Sequence, residues 1–399
     1  MDRSSQEVVI VSACRTPIAK FGGSLKDLRA YELAGVAMKE ALERAGISGE
    51  DVDEVIAGDC IQCADEANTA RNAALSVGIP VEVPAYTIQK QCSSSMQALS
   101  SARAQILAGD ADTILVAGTE SMSNAPYTLP TARWGQRLQD GRMVDSVWEI
   151  LHSGSSLIGP RMIMGQTAEN LAELYSISSE EQDEIALRSN HNAEAATTSG
   201  RFAEEIVQVK VKGSRGDSIV DTDEHTRFDM KPDDLSRLRP IFKDDGTVTG
   251  GNSSGINDGA AAAVVMRRSK AQELGIKPLA RIVNQASAGV QPEIMGYGPV
   301  PATQKVLARA GIGLGEIGLV EINEAFAAQY LACEKGLGLD RKRTNVNGSG
   351  IGLGHPIGAT GLRIVVSLIH EMRRRDERYG LAALCVGGGM GMATVVELL

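Results

Sequence analysis

An α/β fold made of two similar halves is what this sequence predicts, on three observations. Apolar runs of strand length alternate with stretches of helical periodicity. Those runs are continuous rather than alternating in polarity, as a sheet covered by helices on both faces requires. The chain also repeats itself. ALERAGISGEDVDEV (41–55) lies over VLARAGIGLGEIGLV (306–320), with Leu42/Leu307, Arg44/Arg309, Ala45/Ala310, Gly46/Gly311, Ile47/Ile312 and Val55/Val320 identical.

Taken in order, the first strand falls in EVVIVSA (7–13) and the next in DEVIAG (53–58), with a helix over 30–45 between them that Gly46 stops. The run VPAYTIQ (83–89) ends just before Cys92, and a helix over 94–108 then leads to the strand DTILVAG (112–118). Helices over 165–175 and 180–197 precede the strand AAAVVM (261–266). A helix over 302–310, the strand LVEIN (319–323), a helix over 357–374 and the strands LAALCV (381–386) and ATVVEL (393–398) complete the chain. The turn–helix–strand unit that holds Cys92 and ends in DTILVAGT (112–119) has a counterpart at 350–388, which holds GHPIGATG and ends in LAALCVGG. The expected organisation is residues 1–121 with 255–276 as one half, 277–399 as the other, and 122–254 as an inserted loop domain. That insertion carries both tryptophans, Gly/Ser stretches (SGSS 153–156, KGSRGDS 212–218) and acidic turns, a texture suited to specificity loops.

Composition narrows the function. Apolar residues make up 43% and charged residues 23%, an ordinary globular balance, and the 399 residues suffice for a large core. A net charge of −10 argues against non-specific nucleic-acid or membrane-surface binding. The longest apolar run, AAAAVVM (260–266), is far short of the roughly 20 residues a membrane helix needs. The N-terminus has no signal-peptide pattern, so a cytoplasmic protein is expected. Six cysteines are too few for a disulfide scaffold in a chain of this size, and CIQC (60–63) has neither a second pair nor a nearby histidine to make a zinc site.

Four places carry chemistry. Cys92 stands where a strand gives way to a helix; free backbone N–H groups there would favour a thiolate, and Ser93–Ser95 could cap the helix. The alternative is a buried structural cysteine. In GSGIGLGHPIGATG (348–361), the glycines permit close approach of a ligand or another chain segment. His355 lies at the start of a helix, where positive charge is disfavoured and a neutral imidazole able to accept a proton is favoured; the alternative is a satisfied histidine cap. In LCVGGGMGMA (384–393), Cys385 ends a strand and is followed by a glycine run able to line an anion-binding concavity. Asn323 and Glu324 in EINEAF (321–326) close an apolar strand, as a helix cap or a catalytic amide would. Thiol, base and amide donor together are what acyl transfer through a thioester needs. A dinucleotide site finds no GxGxxG fingerprint after the first strand.

The Cys92 stretch, NEAF (323–326), GHPIGATG (354–361) and CVGGGMG (385–391) resemble signature blocks of the thiolases, as do RTPIAKFGGSL (15–25), RPIFKDDGTVTGGNSSGINDGA (239–260) and MGYGPVPA (295–302). The resemblance implies a five-layered α-β-α-β-α arrangement of duplicated halves. It implies Cys92 as acyl-carrying nucleophile, His355 as its base and Cys385 as the thiol that moves the α-proton. Asn323, through a held water, with His355 would form one oxyanion hole; the N–H groups of Cys92 and Gly387 would form the other. Arg227, Ser254, Met164, Phe242, Ala325 and Phe326 match coenzyme A-contacting positions. The implied activity is acetyl-CoA C-acetyl transfer by reversible Claisen condensation, with coenzyme A thioesters as substrates, no metal or other cofactor, and a homo-oligomer (dimer or tetramer). A 3-oxoacyl-CoA thiolase for a longer, branched, dicarboxylic or aromatic chain is the alternative, and a non-catalytic acyl-CoA binder a third. Two departures stand out: Cys92-Ser93-Ser94-Ser95 where the family has Cys-Gly-Ser-Gly, and Ile163 where short-chain members carry His. ARWGQRLQDGRMVDS (132–146) resembles the tetramerisation and lid region of the biosynthetic type.

Overall fold

A computed structural model describes residues 7–152, 161–213 and 216–399. SGSS (153–156) and part of KGSRGDS therefore lie outside the described residues.

The first half contributes strands β1 (Val8–Arg15), β2 (Glu54–Gly58), β3 (Ala85–Ile88), β4 (Thr113–Ser121) and β5 (Asn257–Arg267). The second contributes β6 (Ala280–Gly289), β7 (Leu319–Ile322), β8 (Tyr379–Val386) and β9 (Met390–Leu398). Hydrogen bonding orders them β7-β8-β9-β6-β1-β5-β4-β2-β3, with a two-residue strand, Ala19–Lys20, paired to β5. The halves repeat one pairing scheme. β3, β2 and β4 run parallel, then β5 and β1 follow antiparallel. β7 and β8 run parallel, then β9 and β6 follow antiparallel, and Thr344 bridges Val320 in the place of β3. Among the described residues, the ladder that joins the two halves pairs Val9↔Arg281 and Ile10↔Ala280.

Helices fill the layers. α1 (Ala30–Ala45) and α2 (Thr69–Ser76) cover the outer face of the first sheet, in a core with Ala262, Val264 and Met266. The alternate residues Ala261, Ala263 and Val265 point inward, against α3 (Ser94–Ala108) and its counterpart near the C-terminus, Ile357–Arg375. That central core also takes Ala382, Leu384 and Met392 from the second sheet. The outer face of the second sheet packs on Pro299–Ala310 and on Cys333 of Ala327–Leu337. Five layers result, as the resemblance implies.

In the chain's order, the remaining long helices are α4 (Met164–Leu174), α5 (Ser179–Thr198), α6 (Pro299–Ala310), α7 (Ala327–Leu337) and α8 (Ile357–Arg375). α4 and α5 come from the segment between β4 and β5, yet their apolar faces pack with Ala325–Leu331, Met295 and Cys385 of the second half. The internal repeat holds down to the backbone: Gly46 and Gly311, which end α1 and α6, both stand at φ 67° and ψ 30°. Ile47 and Ile312 each return an N–H to a carbonyl in the last turn, Leu42 and Leu307, at 3.2 Å. Elements not anticipated are β6, α2 and α7. β6 (ARIVNQASAG) is only intermittently buried, so it lacks the continuous apolar run of its neighbours.

Candidate active site

Three turns at the ends of β3, β7 and β8 meet the start of α8 around one cavity of about 60 Å³. Cys92, His355, Cys385 and Gly387 line it, with Ala325, Phe326, Met164 and Ser254.

Cys92 sits on a tight turn in which Gln91 takes φ 49°, a left-handed conformation uncommon for a side-chain residue. Ser93 has φ −98°, so replacing the family's glycine there demands nothing of the backbone. The serines do not cap α3, contrary to the expectation. Ser93 occupies the N-cap without a capping bond. Ser94 Oγ accepts from Lys90 N (2.8 Å) and donates to Gln91 O (2.7 Å), which holds the turn closed. Ser95 Oγ accepts from Leu362 N (2.9 Å) and donates to Ala359 O (3.1 Å), tying α3 to α8. The space for Ser95 comes from Gly118, where an added Cβ would stand 2.2 Å from the serine Cβ.

The helix start does not leave Cys92 ionised. Removal from water pushes its thiol up to about 11; the N–H groups of Gly387 and of Cys92 itself pull it back, and the Glu120 charge adds to the rise. Desolvation outweighs the helix terminus. At rest Cys92 is a neutral thiol with two backbone donors on its sulfur. Cys385 is fully buried, and burial pushes its thiol far above the ordinary range, with the Cys92 charge as the next cause.

His355 is held by a defined hydrogen-bond chain. Thr360 Oγ1 donates to Pro356 O (2.8 Å), so its oxygen accepts from His355 Nδ1–H at 2.7 Å. Nε2 is then the unprotonated nitrogen, and it is buried without a protein hydrogen-bond partner. Burial first, and Arg363 second, pull this imidazole down to about 3. The imidazole is neutral, as its place at a helix start leads one to expect, but burial rather than the helix terminus is the largest cause. Pro356 is the N-cap of α8.

Asn323 is fully buried just past β7, and both ends of its amide lack a protein partner. It stands behind the cavity wall rather than among the lining side chains. A buried amide left unpaired on both sides costs on the order of 2 kcal/mol or more. Glu324, next to it, accepts from Asn345 Nδ2 (2.8 Å) and from Ser189 Oγ of α5. Ser189 Oγ also accepts from Gly352 N (3.0 Å), while a Cβ on Gly352 would lie 2.4 Å from Ser189 O. Gly348 and Gly352 therefore admit helix α5, Gly350 admits the Asn323–Glu324 stretch and Gly354 admits Asn257, so the glycine run before His355 makes room for other parts of the chain.

Beyond the inner cavity lies an apolar chamber of about 310 Å³, sharing Met164, Ser254, Phe326 and His355 with it and adding Phe242, Trp148, Ile163 and Ile241. Phe242 meets Phe326 edge-on, with ring centroids 6.1 Å apart. An outer groove of about 430 Å³ holds Arg227, Phe228 and Leu238 and touches the chamber at Gly250. The sequence-derived positions thus form one path, from Arg227 outside to Cys92 within. Missed by sequence reasoning were the inner-wall residues Ile150, Leu151, Met295 and Ile357. Ile150 and Leu151 close a short helix without a motif, while Met295 and Ile357 lie inside MGYGPVPA and GHPIGATG but carry no reactive group to single them out.

Cys63, Asp65 and Glu66 form an acidic cluster with a thiol, but Arg29 pairs with both carboxylates there. Among the described residues, all six cysteines are free and no helix is long and apolar enough to cross a membrane.

Duplicated halves that bring two thiols and an unprotonated imidazole to one small cavity define a class of cysteine-dependent acyl-transfer fold. Comparisons with known proteins say which. The thiolase N-terminal domain matches residues 8–269 and the thiolase C-terminal domain residues 276–398. An acetyl-CoA acetyltransferase of Syntrophomonas wolfei is 49% identical over 99% of this chain and 100% of its own. The crystal structure of the Bacillus anthracis acetyl-CoA acetyltransferase superposes with a TM-score of 0.96 at 53% identity, over 98% of this chain and 99% of that one. Human mitochondrial 3-ketoacyl-CoA thiolase in complex with CoA gives 0.95 at 42% identity, over 99% of each chain. This chain belongs to the thiolase family.

Proposed function

We propose that the protein is an acetyl-CoA C-acetyltransferase, joining two acetyl-CoA into acetoacetyl-CoA and CoA, and reversing that reaction by thiolysis. The observation that carries the reading is the pair of N–H groups, of Cys92 and Gly387, directed at the Cys92 sulfur in a cavity shared with Cys385 and the free Nε2 of His355.

The chemistry follows from the resting charges. A thiol pushed up and an imidazole pulled down do not form an ion pair at rest. The proton passes from Cys92 to Nε2 as sulfur attacks the thioester carbon, when the new oxyanion receives the Cys92 and Gly387 N–H groups. CoA leaves with that proton, and Cys92 keeps the acyl group. Cys385 then yields its own proton to His355 Nε2 and takes an α-proton from a second acetyl-CoA, whose enolate oxygen is held by the Asn323–His355 side. Carbon–carbon bond formation expels the Cys92 sulfur, which takes the proton back from His355. The buried, unpaired Asn323 amide is the kind of donor such a step uses: already desolvated, with nothing to give up.

Coenzyme A thioesters lie along the path described above, with the pantetheine arm in the apolar chamber and the nucleotide beside Arg227. The reaction calls for no resident metal or redox cofactor. Unpaired cysteines suit a reducing compartment, the cytoplasm. A homo-oligomer, dimer or tetramer, fits the exposed Trp134 (88%) and Leu138 of the 127–148 arm. The second reading is a 3-oxoacyl-CoA thiolase for longer chains, favoured by Ile163 in the apolar chamber wall. CoA-dependent cleavage of a 3-oxoacyl-CoA panel, followed by loss of the enolate absorbance, separates the two. Fastest kcat/KM on acetoacetyl-CoA supports the first, a maximum at longer chains the second, and no cleavage of any member sinks both.

A further inference from the structure

Behind the cavity two carboxyl side chains, Glu120 and Asp59, are buried without a basic partner among the described residues. Glu120, near the end of β4, accepts three backbone N–H groups. Oε2 takes those of Gly358 (2.8 Å) and Cys60 (3.2 Å), and Oε1 takes that of Ile61 (3.1 Å). Gly358 lies in the first turn of α8, three residues after His355. Its fit is tight: a Cβ there would stand 2.3 Å from Thr119 O and 2.9 Å from Glu120 Oε2. Cys60, on the other side, donates its thiol to Gln91 O at 2.9 Å and meets Ser94 Oγ at 3.4 Å. Those are the residues flanking the Cys92 turn. One carboxyl thus bonds directly to the helix that carries the base and, through Cys60, to the turn that carries the nucleophile.

Asp59 completes the unit. Its Oδ2 accepts from Thr69 Oγ1 at 2.6 Å, and it lies close enough to Glu120 for each carboxyl to act on the other's ionisation. Burial pushes Asp59 up to about 6 and Glu120 well above the ordinary range, the latter raised further by the Asp59 charge. Two carboxyls in contact away from water share one proton.

We infer that Glu120, seated on Asp59, is a positioning residue that sets the approach of His355 Nε2 to the Cys92 sulfur. Neither residue lines the three chambers, so the substrate is not touched. Displacing the base by about an ångström costs on the order of 10²-fold in rate.

The test rests on the acyl-transfer reading and is built to fail separately from it. Turnover is measured per Cys92 titratable by iodoacetamide, in the full-length protein. Glu120→Ala is expected to lower kcat on the order of 10²-fold with KM little changed. Asp59→Asn keeps every Glu120 bond, its amide donating to Glu120 in place of the shared proton and its oxygen still accepting from Thr69; it is expected to stay within about threefold of wild type. A merely structural role would instead reduce the number of titratable sites and leave turnover per site intact. Should Glu120→Ala not fold, Glu120→Asp, one methylene too short to reach Gly358 and Cys60 together, takes its place with the same expected loss. The inference is overturned if the folded Glu120 variant keeps kcat per site within about threefold, or if Asp59→Asn loses as much as it does. A wild type that turns over no 3-oxoacyl-CoA overturns the acyl-transfer reading, and this inference with it.

Discussion

Replacing His355 by Asn should make the protein less sensitive to acid, by an amount the structure sets. Burial, then Arg363, takes the imidazole from 6.5 in the unfolded chain to about 3 in the folded one. A histidine depressed by folding contributes stability that is fully present above its unfolded value and is lost as pH falls towards the folded one. Below 6.5, each pH unit costs about 1.4 kcal/mol, so at pH 5 this one site removes about 2 kcal/mol. Other buried groups act in the opposite sense. Glu321, pushed up to about 8 by burial, keeps a proton that the unfolded chain gives up, so it gains stability as pH falls through the same window. The total slope of stability with pH is therefore no test, but the difference between wild type and His355→Asn is. Asn retains an N–H for Thr360 and has nothing to titrate. Urea unfolding at pH 7 and pH 5 should show the wild type losing about 2 kcal/mol more than the variant, with equal m-values. Equal losses in the two proteins would refute the neutral, desolvated base.

Asn323→Ala should lower turnover on the order of 10²- to 10³-fold while leaving the unfolding midpoint unchanged or higher, because it removes an amide with no partner to lose. Ser95→Ala should destabilise by about 1–3 kcal/mol in urea unfolding, since Leu362 N–H and Ala359 C=O lose the hydroxyl joining the two central helices. Gly46→Ala and Gly311→Ala should each cost about 1–2 kcal/mol, and nearly the same amount, because both sites require φ 67° in the matching place of a duplicated unit. Unequal costs measured by the same denaturation would mean the halves do not use that cap alike.

The strands legible from the sequence were those buried on both faces, such as β4 and β8, where continuous apolar runs leave little ambiguity. β6 escaped because its polar residues face a less covered surface, and α7 because AAQYLACEKGL is buried all round its first two turns and shows no periodic stripe. Cys92, His355, Cys385 and Asn323 stood out by chemical type at element ends, and the structure gathers all four, Asn323 one layer back from the wall. Their ionisation was less legible. A helix terminus can be read from sequence, but the desolvation that outweighs it depends on what packs over the site from far along the chain. Glu120 shows the same limit: nothing in DTILVAGTES announces that its acid will meet Gly358.

The acyl group on sulfur is the claim on which the rest stands. Incubation with acetyl-CoA, followed by intact and peptide mass analysis, should find one acetyl group per chain, located on Cys92 and absent from Cys92→Ala. An unmodified Cys92 in a protein that nevertheless cleaves acetoacetyl-CoA, or an acetyl group that persists in Cys92→Ala, would contradict it.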